Sequence, residues 1–198
     1  MRHTTRATRR RSGEPPEGFR YLPDFLSQHE ERELLVAVQS LPFETVLFRG
    51  YEAKRRVVHL GHRYDFEARG VEPGLSIPPP LRDLRGRLAP IGGRPAERYE
   101  EVLVTEYRPG AAIGWHRDAP AFGSTVLGVS LHASCRMRFR RAVEDGWLTW
   151  ETAVEPRSAY LLSGAARAMW QHSIPPVEEL RYSITYRTVR AGHRSGKP

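Results

Sequence analysis

His116 and Asp118, in the segment TEYRPGAAIGWHRDAP, are separated by one residue. In extended backbone such a pair leaves the same face of the strand, so an imidazole and a carboxylate can converge on one ion. His172, in MWQHSIPP, supplies a third donor much further along the chain. Two imidazoles and one carboxylate form the facial set that holds non-haem Fe(II) and leaves coordination positions open for a substrate and O2. Taken singly the pieces are commonplace, since His-x-Asp occurs in surface loops and a lone histidine is ordinarily a satisfied structural residue. His29, His59, His62, His132 and His193 have no comparable partner at i+2 and are assigned to core or surface.

A second chemical pattern closes the chain. The segment LRYSITYRTVR reads as a strand whose faces separate by parity, with Tyr182, Ile184 and Tyr186 on one and Arg181, Ser183, Thr185 and Arg187 on the other. Two readings follow: a packed inner face with a solvated outer one, or a polar barrel interior whose guanidinium groups receive a small dicarboxylate. Arginine suits the second task because its planar fork pairs with a carboxylate through two parallel bonds. Arg136, Arg138 and Arg140 alternate with Met137 and Phe139 and form one charged strand face, either solvated or a track for phosphates.

The elements that must position these groups are legible in outline. The chain has 198 residues, 39% hydrophobic and 27% charged, which is one domain with an ordinary core and excludes global disorder. Ser27 stands three residues before Glu30, and Leu34, Leu35, Val38 and Leu41 follow at helical spacing, which predicts a capped amphipathic helix ending near Pro42. Pro78, Pro79 and Pro80 introduce a short helix over residues 81–88. Beyond Tyr99 the chain reads as strands at 101–107, 125–131, 136–140, 148–154, 159–162 and 182–189, separated by turn-rich segments. Regular short strands without long intervening helices predict an antiparallel barrel or jelly roll.

Of the formal net charge of +8, five positive charges fall on Arg2, Arg6, Arg9, Arg10 and Arg11 with no acid among them. Residues 1–17 are therefore expected to form a disordered basic tail, solvated or touching nucleic acid, and 191–198 a flexible C-terminal one. Cys135 is the single cysteine, which forbids an internal disulfide and any cysteine-rich zinc module. The chain lacks an apolar run of the ~20 residues that a membrane helix needs, and its N-terminus lacks a secretory signal, so a cytoplasmic protein with no membrane partner is expected.

Over residues 18–190 the sequence resembles the AlkB-like Fe(II)/2-oxoglutarate-dependent dioxygenases. The resemblance rests on ordered motifs: Tyr107-x-Pro109-Gly110 ahead of His116-x-Asp118, the turn from Gly164 to Arg167 ahead of His172, and Arg181 followed by Arg187. It implies a mainly β fold, a double-stranded β-helix with N-terminal helices packed on it, and iron held by His116, Asp118 and His172. It also implies cosubstrate contacts from Tyr107, Arg181 and Arg187, with Arg187 on the distal carboxylate of 2-oxoglutarate and Arg181 near the metal. Thr105 and Ser183 stand where the family has asparagines that hydrogen-bond the cosubstrate.

The chemistry so implied converts 2-oxoglutarate and O2 to succinate and CO2 while an N-methyl group is oxidised and leaves as formaldehyde. Residues 48–66 correspond to the family's substrate-recognition lid. There Phe48, Tyr51 and Tyr64, with Trp115, are candidates to hold an unstacked base, and Lys54, Arg55 and Arg56 to meet phosphates. Methylated DNA or RNA is the expected partner of a monomer. Two other readings stay open: the same iron chemistry on a modified tRNA or a protein side chain, and a non-catalytic nucleic-acid-binding protein with a structural metal.

Overall fold

The computed structural model describes residues 8–48, 51–65 and 70–190. Two sheets face each other. The larger has seven strands in the order β2 (Phe19–Leu22), β12 (Ala159–Leu162), β9 (Phe122–Leu131), β14 (Arg181–Val189), β7 (Glu101–Tyr107), β4 (Tyr51–Leu60) and β3 (Glu44–Phe48). The smaller has five, in the order β1 (Thr8–Arg11), β11 (Gly146–Val154), β10 (Cys135–Val143), β13 (Gln171–Ile174) and β8 (Ile113–His116). Every pairing in them is antiparallel except β1 with β11. A separate hairpin joins β5 (His62–Asp65) to β6 (Gly70–Pro73). This is the jelly roll expected from the regular strand spacing.

Two helices cover the outer face of the seven-stranded sheet. Leu34 and Val38 of α1 (Gln28–Gln39) and Leu81, Leu84 and Leu88 of α2 (Pro79–Gly92) pack with Val102, Val104, Tyr182, Ile184 and Tyr186. A second core fills the space between the sheets, built from Phe19, Val126, Met137, Phe139, Val154, Trp170 and Ile174. The tyrosine face of β14 therefore lies under the helices, and its arginine face lines the barrel interior. The solvated reading of that face falls, since Arg181 is 1% exposed and Arg187 9%.

The Ser27 box caps α1 as its residues require: Glu30 N donates to Ser27 Oγ at 3.3 Å, and Ser27 N donates to Glu30 Oε2 at 2.7 Å. Glu30 also pairs with Arg87 of α2, so one acid ends a helix and ties it to its neighbour. Ser27→Ala is expected to lower stability by about 1 kcal/mol, read from chemical denaturation. Helix α2 runs beyond the expected 81–88 at both ends. Pro79 and Pro80 occupy first-turn positions that need no N–H, and the helix continues to Gly93, whose left-handed φ of 67° ends it.

Part of the expected basic tail is ordered. Thr8–Arg11 add to the edge of β11, Ser12 N donates to Thr149 O at 2.7 Å, and Glu17 O accepts from Ala166 N at 2.8 Å. An exposed strand edge offers unpaired backbone groups to any extended segment, and a run of arginines carries no apolar alternation that would announce the pairing. The expectations for residues 1–7 and 191–198 lie outside the described residues.

Candidate metal centre

Two four-residue strands of the smaller sheet bring the distant histidines together. His172 of β13 is the direct cross-strand partner of His116 of β8, and their ring centroids lie 4.2 Å apart. On its other side His172 is paired with Phe139, whose ring is 6.2 Å away. Between His172 and Ile174 the register of β8 shifts, so that Gly114 and Trp115 together oppose Ser173. Such a bulge re-aims side chains beside a functional site. His116 consequently faces the barrel interior while its neighbour Trp115 lies over the outer arginines.

Asp118 follows in the next loop, 8% exposed. Its Oδ1 accepts from Arg187 Nε at 2.7 Å and stands 2.6 Å from Nη2. Its Oδ2 is buried, has no hydrogen-bond partner among the described residues, and lies 4.0 Å from His172 Nε2. Arg187 thus occupies one carboxylate oxygen and leaves the other as a single acceptor beside the imidazoles. His116 Nδ1 stands 2.8 Å from Gly114 O, which fixes that nitrogen as the N–H and leaves Nε2 as the donor for an ion. Among the described residues no trio of His, Cys, Asp or Glu stands at bonding distance around one point. The three groups are gathered in one region of the interior rather than closed on a centre.

Their protonation suits a cation. Burial pushes the His172 imidazole down to about 3, with His116 adding to the effect, and burial also lowers His116. Burial would raise the Asp118 carboxyl, but Arg187, His172 and Arg167 together hold it well below the usual carboxylate range. Neutral imidazoles and an ionised carboxylate are the states that ligate a metal. An ionised oxygen buried without a donor is costly in an apolar interior, and a divalent ion at that oxygen removes the cost. The residues present therefore fit the group.

The second arginine sits apart from this cluster. Arg181 Nε donates to Ser130 Oγ at 2.9 Å, its guanidinium carbon lies 5.1 Å from the Tyr107 ring centroid, and its Nη1 is buried with no hydrogen-bond partner among the described residues. Tyr107 is itself buried and its hydroxyl is pushed up to about 12 by burial. Arg187, by contrast, is satisfied by two carboxylates: besides Asp118, both oxygens of Glu101 accept from its Nη1, at 3.0 and 3.2 Å. Of the two arginines expected at the cosubstrate, Arg187 is the one paired with Asp118, while Arg181 has no carboxylate partner among the described residues. Thr105 and Ser183 are direct cross-strand partners between β7 and β14, both buried.

The substrate candidates divide. Arg55 is cross-strand from Tyr107 and reaches Ala112 O at 3.5 Å, beside the loop that leads to His116. Arg56 points the other way and is committed to Glu106 through two bonds of 2.8 Å, which removes it as a phosphate contact. Lys54 is exposed. Trp115 lies on the outer face of the smaller sheet, away from the interior. The side chains of Phe48, Tyr51 and Tyr64 lie outside the described ones.

Glu101, fully buried, was not singled out from the sequence. Its parity was the available signal, because Glu101, Leu103, Thr105 and Tyr107 share one face of β7, and an interior Tyr107 carries Glu101 inward opposite Arg187. Arg167, in α3 (Gly164–Ala168), donates through Nη2 to Ala119 O at 3.2 Å and Phe122 O at 3.5 Å. It thereby pins the loop that follows Asp118.

Residues 18–190 match the 2OG-Fe(II) oxygenase superfamily. The chain is 31% identical over 193 residues to alpha-ketoglutarate-dependent dioxygenase alkB homolog 7, mitochondrial, of Bos taurus, an alignment covering 89% of this chain and 80% of that one. It is 29% identical over 202 residues to the alkylated DNA repair protein ALKBH8 homolog of Arabidopsis thaliana, covering 87% of this chain and 56% of the relative. The chain thus spans about half the length of that plant protein. The structure of OsALKBH1 superposes with a TM-score of 0.70 at 16% identity over 89% of this chain and 99% of that one.

Proposed function

Since the chain belongs to the 2OG-Fe(II) oxygenase superfamily, as an AlkB-like oxidoreductase, we propose that it oxidatively demethylates N-alkylated bases in nucleic acid. Membership implies Fe(II) and 2-oxoglutarate with O2. When bound, the metal supplies the oxidation: one oxygen atom of O2 enters succinate as CO2 leaves, and the other enters the methyl group, which departs as formaldehyde.

This chain's residues hold and orient the reactants. His116 Nε2, His172 Nε2 and Asp118 Oδ2 would hold the metal, and Arg187 keeps Asp118 to one free oxygen. Two imidazoles and one carboxylate oxygen would leave room for a substrate and O2. Arg181, with Tyr107 beside it, receives the distal carboxylate of 2-oxoglutarate. Thr105 and Ser183, shorter than asparagine, line the same interior face. The barrel walls formed by Phe139, Ile174 and Val126 exclude water, which strengthens each polar contact within and protects the oxidation from side reactions. Arg55, which reaches Ala112 O beside the loop that leads to His116, is the candidate to meet the phosphates flanking an everted base.

One observation carries the reading. Among the described residues the same barrel interior holds a buried carboxylate oxygen and a buried guanidinium nitrogen that each lack a hydrogen-bond partner, Asp118 Oδ2 and Arg181 Nη1. A metal ion and a dicarboxylate satisfy both. A purely structural metal would use the first and leave the second unexplained. For the choice of nucleic acid the support is coarser: the net charge of +8 and the plant relative's name as an alkylated DNA repair protein.

The test incubates the Fe(II)-loaded protein and 2-oxoglutarate with methylated single-stranded DNA, methylated RNA, tRNA and methylated peptide. Equal yields of succinate and formaldehyde with a 14-Da loss from an oligonucleotide are the expected result. A 16-Da gain on tRNA or peptide without formaldehyde would overturn it in favour of hydroxylation.

A further inference from the structure

The outer face of the five-stranded sheet carries a set of side chains that the iron site does not use. Cross-strand register places Arg136, Arg138 and Arg140 of β10 on the same face as Glu151, Thr149 and Trp147 of β11. Arg138 and Arg140 are fixed from below, their Nε atoms donating to Ser173 Oγ and Gln171 Oε1 of β13 at 3.3 and 2.7 Å. The guanidinium of Arg140 lies between two indoles, 4.5 Å from the ring centroid of Trp115 and 4.2 Å from that of Trp147, and Arg138 lies 5.2 Å from Trp115. Strand β1 brings Arg11 to the same place, 3.6 Å from Glu151. A cavity of about 350 Å3 opens among Arg11, Trp115, Arg138, Arg140, Trp147 and Thr149.

Charge counts against a merely solvated surface. Among the described residues Glu151 is the carboxylate that Arg11 and Arg136 share there, at 3.6 and 3.9 Å. The aromatic content counts against a generic polyanion. Acidic protein needs no indoles, and a duplex hides its base faces, whereas an unpaired strand presents each base to a stacking surface and each phosphate to a guanidinium. Because β8 is the edge strand and Trp115 immediately precedes His116 on its opposite face, a strand lying here has only that edge to round before reaching the metal ligands.

We propose that this face docks a single strand of nucleic acid, with bases stacking at Trp147 and Trp115 and phosphates meeting Arg11, Arg136, Arg138 and Arg140. The inference rests on the nucleic-acid reading of the iron site for its direction, but it is tested by binding, so it fails or stands independently of turnover. The probe is a fluorescein-labelled twelve-nucleotide oligouridylate, followed by anisotropy with the full-length protein between about 50 and 200 mM KCl.

Trp147→Ala should weaken binding about tenfold, and Arg140→Gln should lower the slope of log affinity against log salt by about 0.7. Trp147→Ala should also diminish the quenching of tryptophan emission on binding. Arg136→Glu, at a 65% exposed side chain, provides the charge test if Arg140→Gln does not fold. Wild-type affinity and slope in Trp147→Ala and either arginine variant would overturn the proposal. Displacement of the oligonucleotide by polyglutamate of equal charge at equal concentration would also overturn it, leaving a surface for acidic protein.

Discussion

In the His172→Ala protein, succinate formation from 2-oxoglutarate will fall to background and Fe(II) affinity will drop by more than 100-fold. Losing a partner outside a ligand set typically costs 10–100-fold in metal affinity, and His172 is one of the three proposed direct donors, paired across the sheet with another. The fold itself will persist. Neither core cluster depends on an ion, and the Arg187–Asp118–Glu101 ion cluster stays complete without the imidazole. Metal titration followed by equilibrium dialysis, with circular dichroism as the folding control, reads both parts. Full turnover in this variant would dismiss the proposed ligand set.

The two interior arginines will respond to the same substitution in opposite ways. Arg181→Met removes a cation that has no carboxylate partner among the described residues, so the metal-free protein should keep or gain thermal stability, since an isolated buried charge costs more than an apolar side chain of similar volume. Its affinity for 2-oxoglutarate should fall by at least 100-fold, because a charged partner is lost from a buried pair. Arg187→Met strands Asp118 and Glu101 together in the interior and should cost about 3–5 kcal/mol of stability. Calorimetric titration of 2-oxoglutarate into Mn(II)-loaded protein, beside denaturation of the metal-free variants, separates the two. Wild-type cosubstrate affinity in Arg181→Met would return the distal carboxylate to Arg187.

What the sequence disclosed here depended on the range of the interaction. Local signals held: the Ser27–Glu30 box, the strand over Glu101–Tyr107, and the parity that divides Arg181 and Arg187 from Tyr182 and Tyr186. Which side of β14 faces inward was undecidable locally, because alternation fixes the division of a strand and not its orientation. The helices α1 and α2 decided it by covering the tyrosines. Strands β8 and β13 escaped the reading because four residues are too few to show a period, and they are the pieces that carry His116 and His172. The places of the two arginines depended on Glu101, an acid that looks like a solvated residue until its parity with Tyr107 is followed inward.

The bulge on β8 carries a consequence for how this gene can change length. His116 and Trp115 occupy opposite faces of one edge strand, and the strand already holds its irregularity opposite Ser173. Inserting or deleting one residue just ahead of His116 would turn the indole toward Asp118 and leave the imidazole among Arg138 and Arg140, whereas a change of two residues restores the order. Within Ile113–His116, therefore, a change of one residue should abolish the proposed iron binding and a change of two should keep it, whereas the loop at 110–112 ahead of the strand can absorb either.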